Sequence, residues 1–263
     1  MALASYVEYQ REAETISLRA GEYLRGVFGK VTAREKQPGD LVTDADIGSQ
    51  ELIVEGLMKA FPDHAILGEE NGLVADPNQP FRWIVDPIDG TMNFAHGFPL
   101  WCVSIGLEHQ GELVVGVILD PIQRRLWSAS LNAGTTVDGT RVHVSQAKSL
   151  ATSLITTGIP ANFGTGADAA RQIGLFSRFS SGTHSVRRTG SSALNLAFVS
   201  MGVCEVFYST HVNAWDVAAG VVLVREAGGT VTGLDGGPYH VDQPAILASN
   251  GLVHTEAVAR ARA

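Results

Sequence analysis

The stretch whose reading decides the fold is Trp83-Ile-Val-Asp-Pro-Ile-Asp-Gly-Thr-Met-Asn-Phe94. Its first three residues are an apolar run of strand type. Pro87 pushes Asp86 out of the α region, so the strand is expected to end on Asp86 with extended backbone. Asp89 and Gly90 are turn residues, and open α/β sheets collect ligands where a strand ends in a turn. Such a turn brings the carboxylates of Asp86 and Asp89 and the carbonyl of Ile88 toward one point, a set of hard oxygen donors suited to a hard cation. If a helix or tight turn begins at Gly90 and Thr91, its free amides face outward to receive a phosphate. Taken singly, the same residues also describe an ordinary surface turn.

Upstream, Ile16, Ala20, Leu24 and Val27 recur at helical spacing ahead of Gly29, which predicts an amphipathic helix from Ala2 to Phe28. After the breakers Gln37-Pro-Gly-Asp40, Thr43 is placed to cap a second helix. Ile47, Val54, Leu57 and Phe61 form its apolar face, Pro62 stops it, and Asp44 and Asp46 fall in its first turn. A strand is expected at Ala65 to Leu67, then a polar loop from Asn71 to Pro80.

Downstream, Val103 to Leu107, Leu113 to Leu119 and Arg125 to Ala129 are separated by turn signals and read as an antiparallel meander. The second half alternates: strand Ser153 to Thr157, helix Ala167 to Phe179, a strand near Ser185, helix Ser192 to Met201, strand Cys204 to Tyr208. It closes with helix Trp215 to Ala227, strands near Val231 and at Ala245 to Ala248, and a short helix. Mixing of this kind without a clean βαβ period predicts layered α/β architecture rather than a barrel. The 263 residues suit a single domain of two closely packed halves, roughly 1–150 and 151–263.

Hydrophobic content of 45% with 17% charged residues places the chain outside the disordered regime. Nineteen Lys and Arg against 27 Asp and Glu give a net charge of −8, which repels nucleic acid and anionic membrane. An acidic chain that receives a phosphate at Gly90 and Thr91 needs cations there. Cys102 and Cys204 each lie in an apolar stretch and read as buried thiols. No apolar run reaches bilayer length, and Tyr9 to Glu12 is too polar for a secretory core, so a soluble cytoplasmic protein is expected.

Other acids add to Asp86 and Asp89. Gly68-Glu69-Glu70 follows the apolar run at 65–67, so Glu69 and Glu70 are either ligands at a strand end or a solvated pair. Asp216 opens a segment that is apolar all round. It either caps that helix or, if buried with it, needs a cation partner, because an unpaired buried charge costs several kcal/mol. Asp44-Ala-Asp46 imitates the Asp-x-Asp of haloacid-dehalogenase-type phosphatases, but Gly48 stands where that motif has Thr or Val, and the segment starts a helix rather than ending a strand. The histidines offer no zinc spacing, and Phe28-Gly-Lys-Val-Thr32 lacks the first glycine of a P-loop.

Together, Leu41-Val-Thr-Asp-Ala-Asp46, Gly68-Glu-Glu70, the 83–94 segment, Trp215-Asp-Val-Ala-Ala-Gly220 and Glu226-Ala-Gly-Gly229 resemble the inositol monophosphatase family over nearly the whole chain. The resemblance implies the layered αβαβα sandwich shared with fructose-1,6-bisphosphatase, and a lithium-sensitive, magnesium-dependent phosphatase. It implies a first magnesium held by Glu69, Asp86 and the Ile88 carbonyl, a second held by Asp86, Asp89 and Asp216, and a weaker third site near Glu69. It pairs Thr91 with Asp46 to activate water, with Glu69 as the other candidate base. Gly90 and Thr91 amides hold the phosphate, Lys36 adds charge, and the usual assembly is a homodimer.

Where inositol monophosphatases carry an acidic residue seven places before the Trp-Asp aspartate, this chain has Ser209, and Asn213 replaces their histidine. A hydroxyl-binding wall without its carboxylate loses a charge-assisted contact. Glu205 to Asn213 and the loop Gly158 to Ala167 are therefore where the choice of substrate is expected to lie, with Ser209 and Asp216 as substrate-binding residues. Inositol 1-phosphate heads the possibilities, with histidinol phosphate, fructose 1,6-bisphosphate, phosphoadenosine phosphate and NADP as the substrates of relatives. Some bacterial relatives also serve as protein partners in transcription or ribosome assembly, a non-enzymatic alternative.

Overall fold

A computed structural model describes residues 4–37, 40–74, 79–159 and 167–263. Helices α1 (Ala4–Val27) and α2 (Asp44–Ala60) flank a hairpin of β1 (Ala33–Gln37) and β2 (Asp40–Thr43). Then come β3 (Ala65–Gly68), β4 (Gly72–Val74), β5 (Phe81–Asp89) and the short α3 (Thr91–Ala95). The meander follows as β6 (Cys102–His109), β7 (Glu112–Asp120), β8 (Arg125–Ser130), β9 (Gly134–Val137) and β10 (Thr140–Arg141). The second half runs β11 (Leu154–Gly158), α4 (Ala167–Ser180), β12 (Ser185–Arg187), α5 (Ser192–Ser200), β13 (Val206–Ser209) and α6 (Ala214–Glu226). It ends with β14 (Thr230–Thr232), β15 (Ile246–Ser249) and α7 (His254–Arg262).

Eight strands form one mixed sheet in the order β10-β9-β8-β7-β6-β5-β3-β4, and five form a second in the order β12-β11-β13-β15-β14. On one face of the large sheet, Ile16, Ala20, Leu24, Ile53 and Leu57 of α1 and α2 close over Trp83, Val85, Val103 and Val117. On the other face, Ile84 and Ile118 meet Leu196, Ala218 and Val222 of α5 and α6, which also cover Phe207 and Ile246 of the second sheet. Leu175, Phe179 and Ala257 of α4 and α7 close the outer face. The layers are therefore αβαβα, as the resemblance implies. Strand β5 is buried on both faces, which is why it reads as a continuous apolar run rather than an alternating one.

Several elements differ from the sequence reading. Strand β5 does not stop at Asp86; it continues through Pro87 to Asp89, with its register against β6 shifting between Asp86 and Asp89. A bulge there accommodates a residue that has no amide hydrogen to give the ladder. The β1–β2 hairpin forms where only breakers stood out, because Ala33–Gln37 is polar and carries no apolar alternation. Strand β4 occupies part of the expected 71–80 loop, its three residues too few to show an alternation, and the short β9 and β10 extend the meander.

One close approach sets the position of α6. A Cβ at Gly116 on β7 would lie 2.2 Å from the Ala219 carbonyl oxygen, so the helix rests directly on the strand backbone. That seating carries the first turn of α6 to the end of β5.

Candidate active site

Asp86, on β5 opposite Ser104, is 2% exposed, and its Oδ1 accepts the Ile88 amide at 3.0 Å. Asp89 is 7% exposed and is held by the start of α5: its carboxylate accepts from Ser191 Oγ at 2.5 Å, the Ala193 amide at 2.6 Å and the Ser192 amide at 3.3 Å. Asp216, in the first turn of α6, accepts the Asn213 amide at 2.7 Å. One carboxylate oxygen from each of the three lies within 4.8 Å of the others. Capping and clustering are thus not alternatives for Asp216, which does both. It is half-buried rather than buried, because the first turn of α6 opens on a cleft while the helix from Val217 onward lies in the core.

Desolvation holds the Asp86 carboxyl well above the usual range, and repulsion from Glu69, Asp89 and Asp216 and a side-chain hydrogen bond with Glu69 add to the effect. Burial pushes Asp89 up to about 6, against its bonds to Ser191, Ala193 and Ser192. Like-charged oxygens so close and so poorly solvated destabilise one another unless protons or a cation intervene. The donors are all hard oxygens, with Cys102 a protonated thiol whose titration burial pushes far upward. This set fits magnesium better than zinc or a softer metal.

Helix α2 supplies the opposite wall. Asp46 is wholly buried; its Oδ2 accepts from the Thr43 amide at 2.7 Å and Thr43 Oγ1 at 2.6 Å, and its Oδ1 takes the Thr91 hydroxyl at 3.1 Å. The Thr91 hydroxyl also lies 3.0 Å from the Ile88 carbonyl oxygen. Ser49 Oγ donates to the Pro87 carbonyl at 3.2 Å, and Gln50 Oε1 accepts the Glu70 amide at 2.9 Å. The Gln50 amide occupies the space a side chain at Gly68 would need, with Oε1 2.6 Å from an ideal Cβ there. Ser49 and Gln50 were not singled out by sequence, although they follow Asp46 at helical spacing, which was the available signal. Ser191 was missed too, despite standing at the cap position before an apolar run. Asp44 is exposed and paired with Arg34, away from the cluster, which disposes of the Asp-x-Asp imitation.

Gly90 takes φ of +103°, a left-handed turn that aims α3 and its leading residue Thr91 into the cleft. The cleft encloses about 500 Å³ and its lining includes Gly90, Thr91, Gly158, Arg188, His211 and Asp216. A larger groove of about 640 Å³ lies between α1 and the β7–β8 side of the sheet and contains none of the clustered acids. Ser209, expected on the substrate wall, is 1% exposed, its hydroxyl lying 3.0 Å from each of the carbonyl oxygens of Gly158 and His211, two residues that line the cleft. Asn213 occupies the N-cap position of α6. The Lys36 side chain and residues 160–166 of the expected substrate loop lie outside the described residues.

The family model described as the inositol monophosphatase family matches residues 6–263. The chain belongs to that family. An inositol-1-monophosphatase of Synechocystis is 39% identical over 97% of this chain and 88% of its own length. The Nus factor SuhB of Pseudomonas aeruginosa is 36% identical over 84% of this chain and 82% of its own. A solved structure of the extragenic suppressor protein suhB from Bartonella henselae superimposes with a TM-score of 0.92 at 32% identity, covering 97% of this chain and 98% of that one. Membership in the inositol monophosphatase family supports a phosphatase activity. Among the described residues no helix is long and apolar enough to cross a membrane.

Proposed function

We propose that the chain is a magnesium-dependent phosphomonoesterase acting on a small polyol or sugar phosphate, with residues 1–263 as one catalytic unit. The observation that carries this reading is the meeting of Asp86 and Asp89 from β5 with Asp216 from α6, beside the Asp46–Thr91 pair. Neither half of the chain contains the whole set. Glu69, Asp86 and the Ile88 carbonyl would hold one magnesium and Asp86, Asp89 and Asp216 a second, with a third, weaker site near Glu69. Magnesium, when bound, neutralises phosphate charge and acidifies the attacking water.

The chain's own groups orient the rest. The Thr91 hydroxyl donates to Asp46, which leaves its oxygen lone pairs to accept from a water. The Oδ2 of Asp46 is anchored by Thr43, so Oδ1 stands as the proton acceptor reached through Thr91. Glu69 is the alternative base. Gly90 and Thr91 amides would receive phosphate oxygens, and Asp216 and the surrounding cleft face the alcohol. Water adds to phosphorus as the bond to the alcohol oxygen breaks, giving phosphate and free alcohol with no covalent enzyme intermediate.

Phosphate release from inositol 1-phosphate, histidinol phosphate, fructose 1,6-bisphosphate and phosphoadenosine phosphate, with magnesium and after chelation, tests the reading. Magnesium-dependent release supports it, and no release from any of the four ends it. A homodimer in sedimentation and inhibition by lithium are further expectations. A second reading rests on the 36% identity to a protein named a Nus factor. Here the chain is a protein partner in transcription, and co-purification of a stable partner with a catalytically silent chain would favour it.

A further inference from the structure

Beyond Asp216 the cleft is lined by Arg188, His211 and Asn195, with the Thr157 and Ser192 hydroxyls beside them. Arg188 is exposed at the rim, where its Nε and Nη2 donate to the Ile159 carbonyl at 3.1 and 2.8 Å. That contact fixes the guanidinium, and among the described residues Nη1 has no hydrogen bond and Arg188 no ion pair. His211 lies 3.2 Å through Nδ1 from Nε2 of the buried Gln172, which can only donate. Nδ1 lies 3.0 Å from the Thr210 hydroxyl as well, and the ring Nε2, with no hydrogen bond among the described residues, is the nitrogen left to a ligand. Asn195 lines the same cleft; its Oδ1 takes the Thr189 hydroxyl at 2.8 Å, while its enclosed Nδ2 has no partner among the described residues. Asp216 is the one carboxylate among the described lining residues, and the Ser209 hydroxyl is turned to backbone.

A polyol hydroxyl donates as well as accepts, and a guanidinium beside it offers its proton no acceptor. An oxyanion only accepts and meets the guanidinium with charge-assisted bonds. An ammonium group would face the Arg188 charge. We propose that Arg188 and His211, with Asn195 behind them, form a second-anion subsite, receiving a phosphate or carboxylate on the alcohol portion of the substrate. The proposal rests on the phosphatase reading and narrows it, favouring anion-bearing sugar phosphates over neutral polyol or amino-alcohol phosphates.

The test compares kcat/KM, with magnesium, within two matched pairs: fructose 1,6-bisphosphate against fructose 1-phosphate, and 2-phosphoglycerate against glycerol 2-phosphate. The first pair reads a second phosphate and the second a carboxylate. At least a tenfold preference for the doubly anionic member of one pair is expected. In His211→Ala and in Arg188→Gln the ratio should collapse toward one, whereas Arg188→Lys, keeping the charge, should retain part of it. His211 is exposed, so its variant is expected to fold, and thermal unfolding verifies this for each variant. No preference in either pair, or a preference unmoved in both His211→Ala and Arg188→Gln, overturns the subsite and leaves the phosphatase reading standing. Failure of these four esters to release phosphate overturns the subsite, and failure of inositol 1-phosphate, histidinol phosphate and phosphoadenosine phosphate as well takes the phosphatase reading down with it.

Discussion

At its N-terminal end strand β5 places Phe81 and Trp83 among other rings: Phe81 stacks on His64 at 4.5 Å and on His109 at 4.1 Å, and Trp83 on Phe61 at 5.4 Å. Trp83 Nε1 donates to His64 Nδ1 at 3.0 Å, and burial lowers the His64 pKa, keeping that ring neutral. At its C-terminal end the same strand places Asp86 and Asp89, equally withdrawn from water but surrounded by further carboxylates. Burial is shared, yet its energetic sign differs. Apolar and paired groups gain by leaving water, whereas clustered carboxylates lose solvation that few neighbours restore. The first end holds the fold, and the second stores a demand for cations.

The contrast can be broken from either side. Asp86→Asn should lower magnesium-dependent turnover at least about 10³-fold, on the order of 4 kcal/mol, and at neutral pH should raise the unfolding temperature of the metal-free protein. Wild-type turnover in that variant would remove the site assignment. Trp83→Ala should behave oppositely, costing about 3–5 kcal/mol of stability while the folded fraction keeps its magnesium affinity by calorimetry. Gln50→Leu removes the acceptor that fixes the Glu70 amide and should weaken magnesium binding about tenfold. Gln50→Glu, which keeps an oxygen there, should recover most of that affinity.

The smallest effect is in pH. Asp89 titrates near 6 in the folded chain against about 3.9 unfolded. Between those values the folded state holds more protons, so the stability that Asp89 contributes to the metal-free protein is full below about 4 and is lost as pH rises through 6. Added magnesium competes with those protons and should stabilise more as pH rises across the same window. Thermal unfolding at pH 5 and pH 8, with and without magnesium, checks both slopes. A metal-free protein that gains stability on going from pH 5 to 8 would contradict the cluster's electrostatics.

The legible parts of the molecule were those whose chemistry is local. Helices α1 and α2 announce themselves through apolar spacing and the Thr43 cap, and the β6–β8 meander through its turns. Helix α6 was legible as a buried segment, but not the opening of its first turn onto the cleft, because burial there depends on what the helix faces. The hairpin at 33–43 was hidden because backbone pairing, with no apolar alternation, makes it.

By itself the sequence determined the acids, the turn chemistry around Asp86 and Asp89, and the family motifs that order them, since each follows from residue type and spacing. Tertiary structure alone decided that Asp216 stands within 4.8 Å of them, that Ser191 and α5 hold Asp89, and that Ser49 and Gln50 brace the opposite wall. It also engaged the Ser209 hydroxyl with the Gly158 and His211 carbonyls and set Arg188 and His211 along the cleft. The reason is that side chains distant in the chain meet only when whole layers pack. Where α6 rests on Gly116, no local pattern records the distance it leaves between Asp216 and the end of β5.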